Sequence, residues 1–190
     1  MNKIELLQVL KEKTLQCTKC PELVSNRTQV VFGDGNPNAK ILFLGEAAGQ
    51  SEDDEGKPFV GRAGHLLDNV IKACGWDRED LFITNVCLCR PPNNRTPTIL
   101  ETKNCETYLK YQIKIVNPKF IVCLGATAAN NLLKVNQPIS HMRGRWFKYE
   151  DAHVNADVIC TYHPSYALRT GDIGKQAIWD DLQLLLEKLK

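Results

Sequence analysis

The residues best suited to chemistry follow four short apolar runs of the sequence, in loops that read GEAAG, NVCLCRPP, GATAAN and HPSYALR. The first of these loops extends from Gly45 to Gly64, and it contains five glycines and five acidic residues, more than a simple connection needs. Asn85 and His163 lie at the ends of two other runs. Carboxylates, an amide and an imidazole can orient a ligand and move its protons. The pattern therefore predicts a binding or catalytic site.

Eight cysteines form the second group of reactive residues. Cys17 and Cys20 have a chelating spacing, and Cys89 and Cys105 are the best candidates for a second pair, with Cys87 as a competitor. Four thiolates fit structural zinc or an iron–sulfur cluster, and the wide spacing of the second pair favours [4Fe–4S]. The alternative is that the cysteines only pack. The other three lie in apolar patterns typical of core thiols: Cys74, Cys123 and Cys160.

The elements that must position these residues are four strands separated by helices. The apolar runs are 40–45, 81–85, 120–125 and 158–163. Their hydrophobicity is continuous, which is typical of parallel strands covered on both faces. Helical periodicity separates the runs, and Thr96-Pro97 predicts the start of a helix that ends near Val116. The chain is thus expected to form an α/β sandwich with its site outside the carboxyl ends of the strands.

Length and composition set the class of protein. The 190 residues fit one domain, with the segment 1–25 packed on it, and the net charge of +2 neither favours nor excludes nucleic acid. No apolar run reaches the roughly 20 residues of a membrane helix, and the N-terminus does not resemble a secretory signal. We therefore expect a cytoplasmic protein, whose reducing environment disfavours disulfides.

Taken together, GEAAGQSEDDEGKPFVGRAG, TNVCLCRPPNNRTP and TYHPSYALR, with the Cys17/Cys20 pair, resemble family 4 uracil-DNA glycosylases, the iron–sulfur branch of that superfamily. The resemblance covers nearly the whole chain, although Ala48 stands where the family usually has proline. It implies a three-layer α/β/α sandwich with a central four-stranded parallel sheet. It also implies a [4Fe–4S] cluster bound by Cys17, Cys20, Cys89 and Cys105.

The same resemblance implies how uracil is bound once the nucleotide is rotated out of the helix. The amide of Asn85 matches the uracil edge, and the ring of Phe59 is the expected stacking surface. Backbone amides from Gly45 to Gly49, including that of Ala47, are expected to complete the cradle.

For the chemical step, His163 matches the family's donor to the leaving uracil anion. Glu46 and Glu52 are expected in the pocket, and Glu52 is favoured as the carboxylate that acts on water beside the sugar. The neighbouring acids, Asp53 to Glu55, are expected to form a solvated face.

DNA contacts are expected at the start of one helix and in the HPSYALR motif. Arg62, Ser165 and Arg169 are candidates for phosphate contacts. The predicted wedge that enters the minor groove consists of Tyr166, Ala167 and Leu168.

Further basic residues that could contact DNA are Arg95, Arg143 and Arg145. The expected partner is uracil-containing DNA, bound by a monomer.

Three other functions fit parts of the sequence. An iron–sulfur electron-transfer protein explains the cysteines but gives no role to Asn85, Phe59 or HPSYALR. A nucleotide-binding enzyme would need a phosphate loop, and GEAAGQ lacks both the GxGxxG pattern and a P-loop lysine. The third alternative is a DNA-binding module that contains structural zinc and has no catalytic activity.

Overall fold

The four apolar runs form the centre of a six-stranded sheet in the computed structural model, which describes residues 1–190. The strands are β1 (Asp34–Gly35), β2 (Ile41–Ala47), β3 (Phe82–Cys87), β4 (Phe120–Leu124), β5 (Trp146–Glu150) and β6 (Asn155–Thr161). They lie in the order β1-β3-β2-β4-β6-β5. The inner four are parallel, whereas the two edge strands pair antiparallel. The predicted four-stranded parallel sheet is confirmed as the centre of the observed sheet. The prediction does not include the two antiparallel edge strands, β1 and β5.

The edge strands have no continuous apolar run that could reveal them. β1 is two residues long and exposed, and β5 reads WFKYE, with half-buried and exposed positions only. By contrast, β2 is buried on both faces because its apolar side chains alternate between two cores. Leu42 and Leu44 lie in one core cluster, and Ile41 and Phe43 lie in the other.

Nine helices complete the structure. They are α1 (Lys3–Leu15), α2 (Pro21–Asn26), α3 (Gln50–Glu55), α4 (Arg62–Ala73), α5 (Ile99–Val116), α6 (Ala126–Leu133), α7 (Ile139–Met142), α8 (Pro164–Thr170) and α9 (Asp172–Leu189). Residues of α1, α5 and α6 bury one face of the sheet, and residues of α4, α8 and α9 bury the other. The three-layer α/β/α arrangement is therefore confirmed. None of the helices combines the length and the apolarity that a membrane span requires.

Helix α5 begins two residues later than the Thr96-Pro97 pair predicted. Thr98 is the N-cap: its hydroxyl accepts from the Glu101 N–H, and the Glu101 carboxylate accepts from the Thr98 N–H. This reciprocal capping box satisfies two helix-end donors, which the earlier Thr-Pro pair does not do.

The expectation of a solvated acidic face is wrong for Asp53. This residue of α3 is 1% exposed, and its carboxylate accepts hydrogen bonds from the backbone N–H groups of Thr28 and Gln29. A buried carboxylate is tolerated because these donors compensate its lost hydration. Asp53 therefore ties the acidic loop to the segment before β1, while Asp54 and Glu55 remain exposed.

Replacing Asp53 with alanine should lower the free energy of unfolding by about 2–3 kcal/mol, because buried backbone donors lose a charged acceptor. Asp54→Ala is the matched control, since that exposed side chain accepts only from Gln50, and it should change stability by less than about 0.5 kcal/mol. Urea unfolding of both variants measures the difference. Equal stabilities would contradict the structural role of Asp53.

Candidate active site

A cavity of about 420 Å³ lies at the carboxyl ends of the inner strands, where the sequence predicts the site. It brings together eight of the predicted site residues: Glu46, Ala47, Glu52, Phe59, Arg62, Asn85, His163 and Ser165. A larger cavity, of about 750 Å³, lies beside it and shares Phe59 as a wall, but it contains none of Glu46, Asn85 or His163. The smaller cavity is therefore the candidate active site.

Asn85 lines this cavity and has an unpaired polar atom. The residue is 1% exposed, and its Oδ1 is the one buried side-chain oxygen or nitrogen in the chain that lacks a hydrogen-bond partner. A buried acceptor without a partner costs about 1–3 kcal/mol, unless a ligand supplies the donor. Asn85 Oδ1 therefore lacks the hydrogen bond that a buried acceptor normally has.

Gly45 makes room for this amide. It pairs with Asn85 across the β2–β3 ladder, and of the two residues only Asn85 lines the cavity. A Cβ atom added at Gly45 would collide with Asn85 Oδ1 and would lie 2.6 Å from the ring of Phe59. Glycine is required here by the space that Asn85 and Phe59 share, and not by its φ angle.

Phe59 forms an aromatic wall of the cavity. Its side chain is 5% exposed, and its ring centroid lies 5.6 Å from that of His163, with 33° between the ring planes. Its backbone has a φ of +51°, a left-handed conformation that is costly for a bulky residue. The surrounding contacts must therefore hold this segment in place.

Glu52 provides part of that support. Its Oε1 accepts from the N–H groups of Val60 and Gly61 at 2.9 and 2.8 Å, and its Oε2 accepts from Gly49 N–H at 3.1 Å. The carboxylate thus joins the start of α3 to the segment that carries Phe59. Three backbone hydrogen bonds make Glu52 an organiser of the loop.

Glu46 is less constrained. Its Oε2 accepts from the Thr127 hydroxyl of α6, and its Oε1 has no hydrogen-bond partner. Thr127 is a contact that sequence reasoning missed, because it comes from a helix 81 residues away. Of the two glutamates, Glu46 has the freer carboxylate.

His163 is held in one orientation and one tautomer. It is the N-cap of α8, and its Nδ1 accepts from the backbone N–H of Ser165 at 3.1 Å. Because Nδ1 is an acceptor, the proton of the neutral ring lies on Nε2. Burial lowers the pKa of His163 to about 4; the positive charge of Arg169 adds to this effect and Glu52 opposes it. The imidazole is therefore a neutral donor at neutral pH.

The hydroxyl of Ser165 also contacts this histidine. Ser165 Oγ lies 2.8 Å from His163 Nδ1. The sequence predicts Ser165 as a phosphate contact, but in the structure its hydroxyl and its N–H both support the imidazole.

The predicted wedge is partly exposed. Leu168 and Arg169 are exposed on α8, and Tyr166 stacks on Tyr162 with ring centroids 4.2 Å apart. Ala167 is fully buried and packs in the core, so the prediction that it enters the minor groove is wrong. A helix turns successive side chains by about 100°, which sends Ala167 inward between two outward neighbours.

The predicted basic residues differ in whether an acidic side chain of the protein already pairs with them. Arg62 is exposed at the first position of α4 and borders the cavity, and Arg145 is also exposed. Arg95 borders the cavity too, but it forms two hydrogen bonds with the Glu101 carboxylate and an ion pair with Glu22.

Arg143 is engaged in the fold. It pairs with buried Asp181 and lies over the ring of Tyr162. Arg62 is thus the free cation nearest to the predicted base pocket.

The cysteines predicted as ligands have polar neighbours suited to thiolates. The Arg27 guanidinium donates to Cys89 Sγ at 3.0 Å, and the Asn104 amide donates to Cys20 Sγ at 3.3 Å. Cys89 and Cys105 are buried, whereas Cys17 and Cys20 are partly exposed. All eight cysteines are free thiols, and no three His, Cys, Asp or Glu side chains converge closely enough to hold a single metal ion.

Cys87 has a different role from Cys105. The Cys87 thiol donates to the Cys89 carbonyl oxygen at 3.5 Å. Its interaction with Cys105 raises the pKa of Cys87, an effect to which burial adds, and lowers the pKa of Cys105. Cys105 is therefore the better thiolate, and Cys87 remains a protonated neighbour. The three cysteines predicted to lie in the core, Cys74, Cys123 and Cys160, are buried as expected.

The chain is similar in sequence to known proteins along most of its length. The family model described as the Uracil DNA glycosylase superfamily matches residues 32–183. A type-4 uracil-DNA glycosylase of Thermotoga maritima is 46% identical over 87% of this chain and 84% of its own length. Type-4 uracil-DNA glycosylases of Sulfurisphaera tokodaii and Archaeoglobus fulgidus are each 42% identical, over 90% and 87% of this chain and 80% and 84% of their own lengths.

Proposed function

The chain belongs to the type-4 branch of the uracil-DNA glycosylase superfamily and hydrolyses the N-glycosyl bond that joins uracil to DNA; we propose that it does so in the cavity lined by Asn85, Phe59 and His163. The products are free uracil and an abasic site. The observation that carries this assignment is the buried, unpaired Oδ1 of Asn85 beside an aromatic wall and a neutral imidazole.

Uracil reaches the cavity only after its nucleotide rotates out of the duplex. Asn85 Oδ1 then accepts from uracil N3–H, and its amide nitrogen donates to O4. Cytosine presents the reverse pattern and would leave both buried groups unpaired, at about 1–3 kcal/mol each. The ring of Phe59 stacks on the base, and Ala47 lines the same cavity. Gly45 lies against Asn85 and Phe59 and leaves room for both side chains.

Bond cleavage leaves negative charge on uracil and positive charge on the sugar. His163 donates its Nε2 proton in a hydrogen bond to uracil O2 and stabilises the leaving anion without transferring the proton. Glu46, with its open Oε1, stabilises the sugar cation, orients the attacking water and accepts the proton that this water loses. The uracil anion takes up one proton from solvent as it leaves, so the products are neutral uracil and the abasic sugar. Glu52, which the sequence favours for that role, holds the loop through its three backbone donors.

The exposed residues around the cavity contact the DNA. Arg62 at the start of α4 binds a flanking phosphate, and the exposed Arg169 of α8 binds another. Leu168 fills the space that the rotated nucleotide vacates, while Tyr166 supports it from the stack with Tyr162. Ser165 acts mainly through His163.

The four thiols of Cys17, Cys20, Cys89 and Cys105 fit a [4Fe–4S] cluster, since the donors from Arg27 and Asn104 suit thiolate sulfurs. When bound, such a cluster crosslinks the turn after α1 to the loop after β3 and to α5, and its role is structural. The wide sequence spacing of Cys89 and Cys105 favours the cluster over a zinc ion, whose ligands usually form two close pairs. Free thiols throughout also suit the reducing cytoplasm in which we place this one-domain protein.

Cys89→Ser should abolish the broad visible absorbance of the purified protein and lower Tm by roughly 10 °C, because several kcal/mol of crosslinking are lost. Cys87→Ala is the matched control and should retain the absorbance, since the Cys87 thiol is a protonated neighbour. Visible spectra and thermal melts of both variants measure the effect. Bleaching by Cys87→Ala alone would contradict this ligand assignment.

The function itself is tested with an oligonucleotide that contains a single deoxyuridine. Free uracil should be recovered by chromatography, and the strand should break with alkali at the abasic position. A strand with deoxycytidine at the same position is the control and should stay intact. No similarity supports the electron-transfer alternative, which predicts neither product.

A further inference from the structure

Arg78 lies behind the segment that carries Phe59. It begins a short 3₁₀ turn, Arg78–Asp80, between α4 and β3. It does not line the cavity assigned to uracil; it lines the larger cavity on the other side of Phe59. Any effect of Arg78 on the base must therefore act through the residues between them.

The guanidinium binds two consecutive backbone carbonyls of that segment. Nη2 donates to the oxygen of Pro58 at 2.5 Å, and Nη1 donates to the oxygen of Phe59 at 3.2 Å. Asp68 of α4 orients the guanidinium through an ion pair with Nη1. The fixed fork of arginine suits two such acceptors, which a lysine could not bind in the same way.

Opposite charges thus hold the two ends of one short segment. The carbonyls of Pro58 and Phe59 face a cation, and the N–H groups of Val60 and Gly61 face the Glu52 carboxylate. The turn between them is the left-handed conformation of Phe59, which needs such support.

Gly64 closes the segment from a third side. A Cβ atom at Gly64 would collide with the carbonyl of Phe59, so α4 approaches this backbone as closely as glycine allows. The position of the Phe59 ring is therefore set by its backbone, and Arg78 donates two hydrogen bonds to that backbone from outside the pocket.

We propose that Arg78, oriented by Asp68, is a positioning residue that holds the Phe59 ring in place for stacking on the extruded uracil. This inference rests on the proposed function for the identity of the base. It assigns Arg78 no contact with DNA, and it predicts a loss confined to base binding.

The test measures three properties of Arg78→Ala. Affinity for free uracil should fall by about tenfold, since part of the stacking contribution is lost. Affinity for DNA that already contains an abasic site should stay within about twofold, because no base is stacked there. Backbone amide exchange at Val60 and Gly61 should accelerate.

The Phe59→Ala background separates positioning from general damage. There, adding Arg78→Ala should change uracil affinity by less than about twofold, because the ring it positions is gone. Arg78→Lys should recover part of the affinity, which keeps the test valid if the alanine variant folds poorly. Lys148→Ala, at the far sheet edge, is the surface control.

The proposal is wrong if Arg78→Ala binds free uracil as tightly as the wild type does. It is also wrong if Arg78→Ala lowers uracil affinity as much in the Phe59→Ala background as in the wild type. If the wild-type protein neither binds free uracil nor releases uracil from DNA, it is the proposed function that is wrong. Amide exchange at Val60 and Gly61 then still decides whether Arg78 holds the segment: faster exchange supports the inference and unchanged exchange refutes it.

Discussion

Replacing His163 with alanine should lower kcat for uracil release by about 10²–10³-fold, because the leaving anion loses its preorganised donor. Affinity for abasic DNA should be preserved, since the lost contact develops with the negative charge on the base. Single-turnover rates and DNA-binding titrations separate the two effects. His153→Ala, at an exposed histidine, is the matched control and should behave as wild type.

The pH dependence tests which form of His163 acts. Burial lowers its pKa to about 4, so the neutral donor should persist between pH 5 and 8 and the rate should not rise as pH falls through 6.5. In the unfolded chain the same group takes up a proton near 6.5. Its contribution to stability is therefore complete above that pH and is lost as pH falls toward 4. A rate that increases on acidification and disappears in His163→Ala would indicate an imidazolium.

Asn85→Asp should reduce kcat/KM for uracil by about 100-fold and narrow the preference for uracil over cytosine. An ionised aspartate offers only acceptors, so uracil O4 loses its donor, and a negative charge is placed beside the developing anion. The protonated form presents an acceptor and a donor to the cytosine edge, which permits its binding.

Competition between strands with deoxyuridine and deoxycytidine measures this preference. Asn38→Asp, an exposed asparagine away from the cavity, controls for the added charge. If the aspartate at position 85 leaves both the rate and the preference unchanged, another group recognises the base.

Sequence patterns predict the inner strands and the place of the candidate site, because each strand and its end are determined by residues close together in the chain. Continuous apolar runs locate the inner strands because both faces of β2 and β4 are buried. The carboxyl ends of those strands bring Asn85 and His163 together because parallel strands end at one edge of the sheet. The register that places Gly45 opposite Asn85 follows from the same pairing.

Partners distant in sequence account for what the patterns miss. Asp53 looks like one more solvated acid, and only the approach of Thr28 and Gln29 buries it. Glu52 is favoured as a catalytic carboxylate by its motif, yet the folded loop supplies three backbone donors to it. Arg78 belongs to no sequence motif, because its contacts are with two carbonyls that lie 19 and 20 residues before it.

The most direct test of excision by base extrusion is the rate of abasic-site formation by wild type on deoxyuridine that is unpaired, opposite guanine or opposite adenine. Extrusion costs least for unpaired or mismatched bases. We therefore expect abasic sites in all three substrates, forming at least as fast in the unpaired and guanine contexts as opposite adenine. Intact strands in all three contexts, with correctly folded and iron-loaded protein, would contradict the account.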